Sequence, residues 1–131
     1  MARPTQIDKL LAGYPEPVQA TAAAARALLT GLLPGIQEAA DFPAKLIRYS
    51  YGAGYKGALF MLILSQKGVK LGVVRGVEIP DPKKLMTGEG KVHRHVQLRA
   101  PADLERPGLK PLLKAALKAW RARSAETKSA R

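Results

Sequence analysis

The sequence predicts an α+β fold, an antiparallel β-sheet with N-terminal and C-terminal helices packed on it. Three stretches carry that expectation. PVQATAAAARALLTGLL is alanine-rich and bounded by prolines, ALFMLILSQKGVKLGVV reads as two strands around a tight turn, and LKPLLKAALKAW repeats apolar residues at helical spacing. A chain of 131 residues has the size of one domain. Its core is expected at about 7–120, and 121–131 reads as a flexible basic tail.

A short first helix is expected after Thr5, whose hydroxyl suits an N-cap, ending before Gly13 and Pro15. The second starts near Pro17, where a missing N–H does no harm, and stops at Pro34-Gly35. Val18, Ala22, Ala25, Leu29 and Leu32 recur on one side, and Arg26 is its only charge, so most of its circumference should be buried. Residues 45–50 alternate weakly, as a strand would. Ala58 to Leu64 is an unbroken apolar run, which places apolar side chains on both faces of a central strand. Phe60, Leu62 and Leu64 on one face, and Leu59, Met61 and Ile63 on the other, are all expected to be largely buried. Helices should close one side, and a further segment or a second subunit of a homodimer the other. Lys67-Gly68 reads as a two-residue hairpin turn into the next strand. A proline-containing loop follows, with one helical turn expected near Lys83 to Met86. KVHRHVQLR is then a strand, and a last helix begins near Leu109. Its Leu109, Leu112, Leu113, Ala116, Leu117 and Trp120 form one stripe, flanked by Lys110, Lys114, Lys118 and Arg121.

Cysteine is absent, which excludes disulfides, thiolate metal sites and cysteine nucleophiles. The N-terminus has no apolar signal region, and the longest apolar run is far shorter than the ~20 residues of a membrane span. A cytoplasmic, membrane-independent protein is therefore expected. The net charge of +12 favours contact with polyanions, and most of it lies from Lys91 onward. Lysines at helical spacing are nevertheless usually a solvated face, and few aromatics are present to stack on bases. Nucleic acid is a partner that the residues allow but do not favour.

Chemistry concentrates in GEGKVHRHVQL. GEGK is not a phosphate-binding P-loop. Leu85 stands where the first glycine should be, Val92 where a hydroxyl residue should follow the lysine, and a strand comes next rather than a helix. In that strand, His93, His95, Gln97 and Arg99 share one face, and Val92, Arg94, Val96 and Leu98 the other. The paired imidazoles could hold a metal, but Arg99 lies beside them and no acidic residue lies within the strand. A solvated polar face is the simpler reading. Arg94 sits among aliphatics and needs a partner: Asp41, Glu78, Asp81, Glu89 or a bound anion. Arg75 would lie close to it if the two strands are neighbours.

The run LGVVRGVEIPDPKKLMTGEGKVHRHVQL resembles the YdhG-like family, also known as domain of unknown function 1801. The matching residues are Leu71, Gly72, Arg75, Gly76, Pro80, Asp81, Pro82, Gly88, Gly90, Lys91, Arg94, His95 and Val96. The flanking IDKLLAGYPEP and LKPLLKAALKAW resemble that family's helices, and FPAKLIRYSYG departs from its commoner Tyr-Gly-Met-Pro form. The resemblance implies helices on an antiparallel sheet and little biochemistry, and one branch is described as a frataxin-like iron chaperone. Such chaperones rely on exposed carboxylates, whereas this chain has ten acidic residues against 22 basic and no acidic cluster. The expected function is a non-enzymatic module that binds a small anionic ligand or a protein partner, with no cofactor. Its site would combine Arg75, Asp81, Lys91 and Arg94, with the Gly88–Gly90 turn as rim. The alternative is an iron chaperone using His93, His95 and a carboxylate from elsewhere. Nucleic-acid binding through the basic last helix comes third.

Overall fold

The computed structural model describes residues 5–52, 57–88 and 90–129, and of 125–129 the backbone alone. Five strands form a single antiparallel sheet in chain order: β1 (Gln37–Asp41), β2 (Leu46–Ser50), β3 (Ala58–Ser65), β4 (Gly68–Val73) and β5 (Arg94–Leu98). Two helices precede it, α1 (Gln6–Leu11) and α2 (Glu16–Leu32), and one follows, α3 (Leu109–Ser129). This is the expected α+β arrangement. Among the described residues no helix is long and apolar enough to cross a membrane.

Local chemistry accounts for most element ends. Thr5 and Asp8 cap α1 reciprocally: the Asp8 amide donates to Thr5 Oγ1 at 3.1 Å, and the Thr5 amide to the Asp8 carboxylate at 2.9 Å. The β3–β4 hairpin turns one residue earlier than expected, through Gln66 and Lys67. Gly68 already pairs with Ser65, whose hydroxyl reaches the Gly68 carbonyl at 3.1 Å. A Cβ on Gly68 would lie 3.1 Å from the Leu98 carbonyl oxygen, so a side chain there would crowd β5. The helical turn expected near Lys83 is a hydrogen-bonded turn instead, and short 3₁₀ segments form at Gly76–Glu78 and Pro101–Glu105. The last helix does not end near Trp120 but continues to Ser129.

β1 was not expected. Its QEAAD lacks the β-branched and aromatic residues that mark strands, and it sits at the sheet edge. A polar cluster holds it. The wholly buried Tyr49 of β2 donates its phenol to Glu38 at 2.5 Å, and Arg26 of α2 donates Nε to the same carboxylate oxygen at 3.0 Å. Burial, and then the bond to Glu38, push the Tyr49 phenol well above its ordinary pKa, so it remains a donor. The three groups join α2, β1 and β2.

One face of the sheet carries the core. Tyr49 and Ile47, Phe60, Leu62 and Leu64, Val69, Leu71 and Val73, and Val96 and Leu98 pack in one cluster with Ala22, Ala25 and Leu29 of α2 and Leu109, Leu113 and Leu117 of α3. Phe60 and Leu62 are fully buried, as expected. The opposite face differs from expectation. Met61 and Ile63 are only half-buried and stand outside the core cluster, beside Arg48 and Leu46 on β2 and Gly72 and Lys70 on β4. A bulge explains why Leu59 does not join them. Tyr49 faces Phe60 but Ser50 faces Ala58, so Leu59 has no partner on β2, and it packs into the core at 2% exposure.

Unfolding in urea should separate the two faces. Leu62→Ala is expected to cost roughly 2–5 kcal/mol, whereas Met61→Gln should stay below about 1 kcal/mol.

Candidate functional site

β4 and β5 are neighbours, with Val73 opposite Arg94, so the segments carrying the candidate residues meet at one end of the sheet. Arg75 follows β4 in the left-handed conformation (φ 56°). That turn swings the chain so that the Arg75 amide donates to His93 Nδ1 at 2.9 Å and the Val77 amide to the Val92 carbonyl at 3.1 Å. Gly76 then lies directly over Arg94. A Cβ at Gly76 would stand 2.7 Å from Arg94 Cβ and 3.0 Å from its amide nitrogen, closer than side chains tolerate. On another side Gly88, at φ +122°, comes within reach: a Cβ there would be 3.8 Å from Arg94 Cδ and 3.3 Å from His95 Nδ1. Gly76 therefore makes room for the Arg94 stem, and Gly88 for the His95 ring.

The four charged candidates have different surroundings. Arg75 forms an ion pair with Glu78, which holds the Glu78 carboxyl below its usual pKa and raises that of the guanidinium. Both groups are exposed. The two carboxylate oxygens of Asp81 accept the Leu85 and Met86 amides, at 2.9 and 2.8 Å. Asp81 thus organises its own loop and is half-buried there. Lys91 is exposed. Arg94 is half-buried, and its Nη1 donates to the His93 carbonyl at 3.2 Å. Among the described residues it meets no carboxylate. Glu78 is engaged by Arg75, Asp81 by backbone amides, and Asp41 lies at the far edge of the sheet on β1. Glu89 lies outside the described residues. Gly90 is exposed, and a Cβ on it would lie 3.1 Å from the His93 carbonyl oxygen.

Val92 is not on a core face. It precedes β5 and is 46% exposed, because the strand begins only at Arg94. The histidines each have one nitrogen engaged. His93 Nδ1 accepts the Arg75 amide, which leaves Nε2 as the protonated position. His95 Nε2 meets Thr87 Oγ1 at 3.1 Å, and Thr87 also exchanges two backbone hydrogen bonds with His95. Burial, and then Lys70, lower the His95 pKa, so this ring is neutral at pH 7. No carboxylate among the described residues bonds its Nδ1, so the hydroxyl–imidazole pair lacks the third group that would orient it for nucleophilic chemistry. Among the described residues no group of three His, Asp or Glu side chains could share a metal ion.

Sequence reasoning missed two features. Gly76 matters because its missing Cβ admits Arg94, and only the β4–β5 register reveals that. The hydrogen bond from the Arg75 amide to the His93 ring needs the left-handed turn at Arg75, for which a non-glycine residue gives no local signal.

Gly76→Ala should destabilise the protein by about 1–3 kcal/mol through overpacking, read by thermal or urea unfolding. Acid stability should report on His95. Its folded pKa lies below the ordinary 6.5, so the contribution of the neutral ring is present above that pH and is lost as pH falls through the lowered folded value. His95→Gln, which can still bond Thr87, should therefore lose less stability than the original protein between pH 7 and pH 5.

In comparisons with known proteins, no family model, no curated protein and no solved structure matches this chain.

Proposed function

We propose that the chain is a small YdhG-like binding module that takes an anionic group at Arg94, with Lys91 as a second, outer cation. One observation carries this reading. The Arg94 stem is lodged beside Gly76 and Gly88, while among the described residues its guanidinium makes a single hydrogen bond, to the His93 carbonyl. A guanidinium has five N–H donors in a fixed fork suited to carboxylate and phosphate oxygens. A half-buried cation that meets no carboxylate among the described residues gains much from an anion that supplies those acceptors. Arg75 and Asp81 serve this site by shaping it. The Arg75–Glu78 pair fastens one wall, and the Asp81 turn fastens the loop that leads to Gly88. The iron-chaperone alternative is the weaker reading, because among the described residues no third His, Asp or Glu side chain joins the two imidazoles to complete a metal site.

Calorimetric titration with inorganic pyrophosphate at low salt tests this. A hydrogen bond to a charged partner is worth about 1.5–3 kcal/mol, so Arg94→Gln should weaken binding by roughly 10- to 100-fold. Lys91→Gln should weaken it only a few-fold. Absence of pyrophosphate binding, or equal binding by Arg94→Gln, would overturn the assignment.

A further inference from the structure

We infer that the solvent face of α3 is a sequence-neutral docking surface for the phosphate backbone of nucleic acid. Lys110, Lys114, Lys118 and Arg121 are all exposed. At 3.6 residues per turn they fall within an arc of roughly 80° and span about 16 Å of the helix axis. Lys83 prolongs the tract past the start of the helix. Its stem crosses Gly108, where a Cβ would stand 2.7 Å from Lys83 Cγ.

Two features set this ridge apart from a merely solvated face. The first is the absence of compensation. Solvated helices usually interleave acidic residues that pair with lysines one turn away. Lys110, Lys114, Lys118 and Arg121 have no carboxylate three or four residues away along this helix. Like charges one turn apart repel, so the array works against the stability of the helix that carries it. The second is asymmetry. From Thr5 to Asp41 the chain has four acidic and two basic residues, so the positive charge is not spread evenly. Five of the 22 basic residues lie within the 16 residues from Leu109 to Ser124, a local density of the kind that attracts and orients a polyanion.

The chemistry around the ridge selects among polyanions. A helix that lies on a membrane needs an apolar face to insert. The apolar face of α3 is buried against the sheet, and the exposed large hydrophobic residues, Phe42, Val77 and Val92, lie elsewhere. An acidic protein partner would ordinarily need apolar or aromatic anchors, which the ridge lacks. A phosphate backbone needs only cations. This surface is separate from Arg94, and the inference does not depend on the anion site there.

The test measures binding of the full chain to a mixed-sequence DNA duplex, by fluorescence anisotropy across a salt series. Affinity should fall with a log–log slope of roughly −3 to −4, about −0.9 for each phosphate neutralised. Replacing Lys110, Lys114, Lys118 and Arg121 by glutamine should remove most of that slope, about 1 for each cation, without lowering the melting temperature. A control replaces Lys9, Lys45, Lys67 and Lys70, all exposed and elsewhere, and lowers the net charge equally. It should retain most of the affinity and the slope. Three results would overturn the inference. They are no duplex binding at low salt, an equal loss in the control, or ridge-dependent binding to phosphatidylserine vesicles without binding to the duplex.

Discussion

All three helices pack on the same face of the sheet, and most of the structure follows from that constraint. A five-stranded meander has two faces, and this chain has helical surface to cover one. The covered face takes the large apolar residues of four strands, with α2 brought close by alanines. Ala22 and Ala25 are fully buried, so a larger side chain at either would push the helix off the sheet. The Arg26–Glu38–Tyr49 cluster performs a related task in polar terms. It satisfies a buried phenol and ties the weakest strand to both a helix and its neighbour. The other face keeps Met61 and Ile63 half-buried among Arg48, Lys70, His95 and Gln97, an apolar centre in a basic surround.

The connection from β4 to β5 is long, yet little of it hangs loose. Left-handed Arg75, the Asp81 carboxylate and the Thr87–His95 bridge fasten its successive parts to the sheet or to each other. Arg75 and Asp81 thereby become scaffold, their charged atoms occupied within the loop. Arg94 has the reverse character. Its backbone is fixed in β5 and its stem lies against Gly76, while among the described residues its guanidinium bonds only the His93 carbonyl. A cation whose stem is already ordered has less conformational entropy to lose on meeting an anion than a freely moving lysine such as Lys91. That difference makes Arg94 the centre of the proposed anion site, although both residues carry the same charge.

What the sequence by itself determined was whatever depends on neighbours along the chain. The α+β class, the β3–β4 hairpin, the Thr5 cap and the buried stripe of α3 with its exposed lysines all follow from spacing, capping and turn chemistry. The candidate residues of the β4–β5 connection were also legible as a group, because Arg75 closely follows one strand and Arg94 opens the next. The tertiary structure alone decided which side of β3 would be covered. An apolar run of period one states that both faces can be buried and carries no information on how many helices will arrive. It also decided that QEAAD would pair as β1, since an edge strand with weak propensity forms only when a partner such as Tyr49 holds Glu38 in place. The role of Asp81 as a turn anchor and the contact of Gly76 with the Arg94 stem belong to the same class. Each joins residues that are brought together by strand register or by the path of a loop, and neither is encoded in a local period.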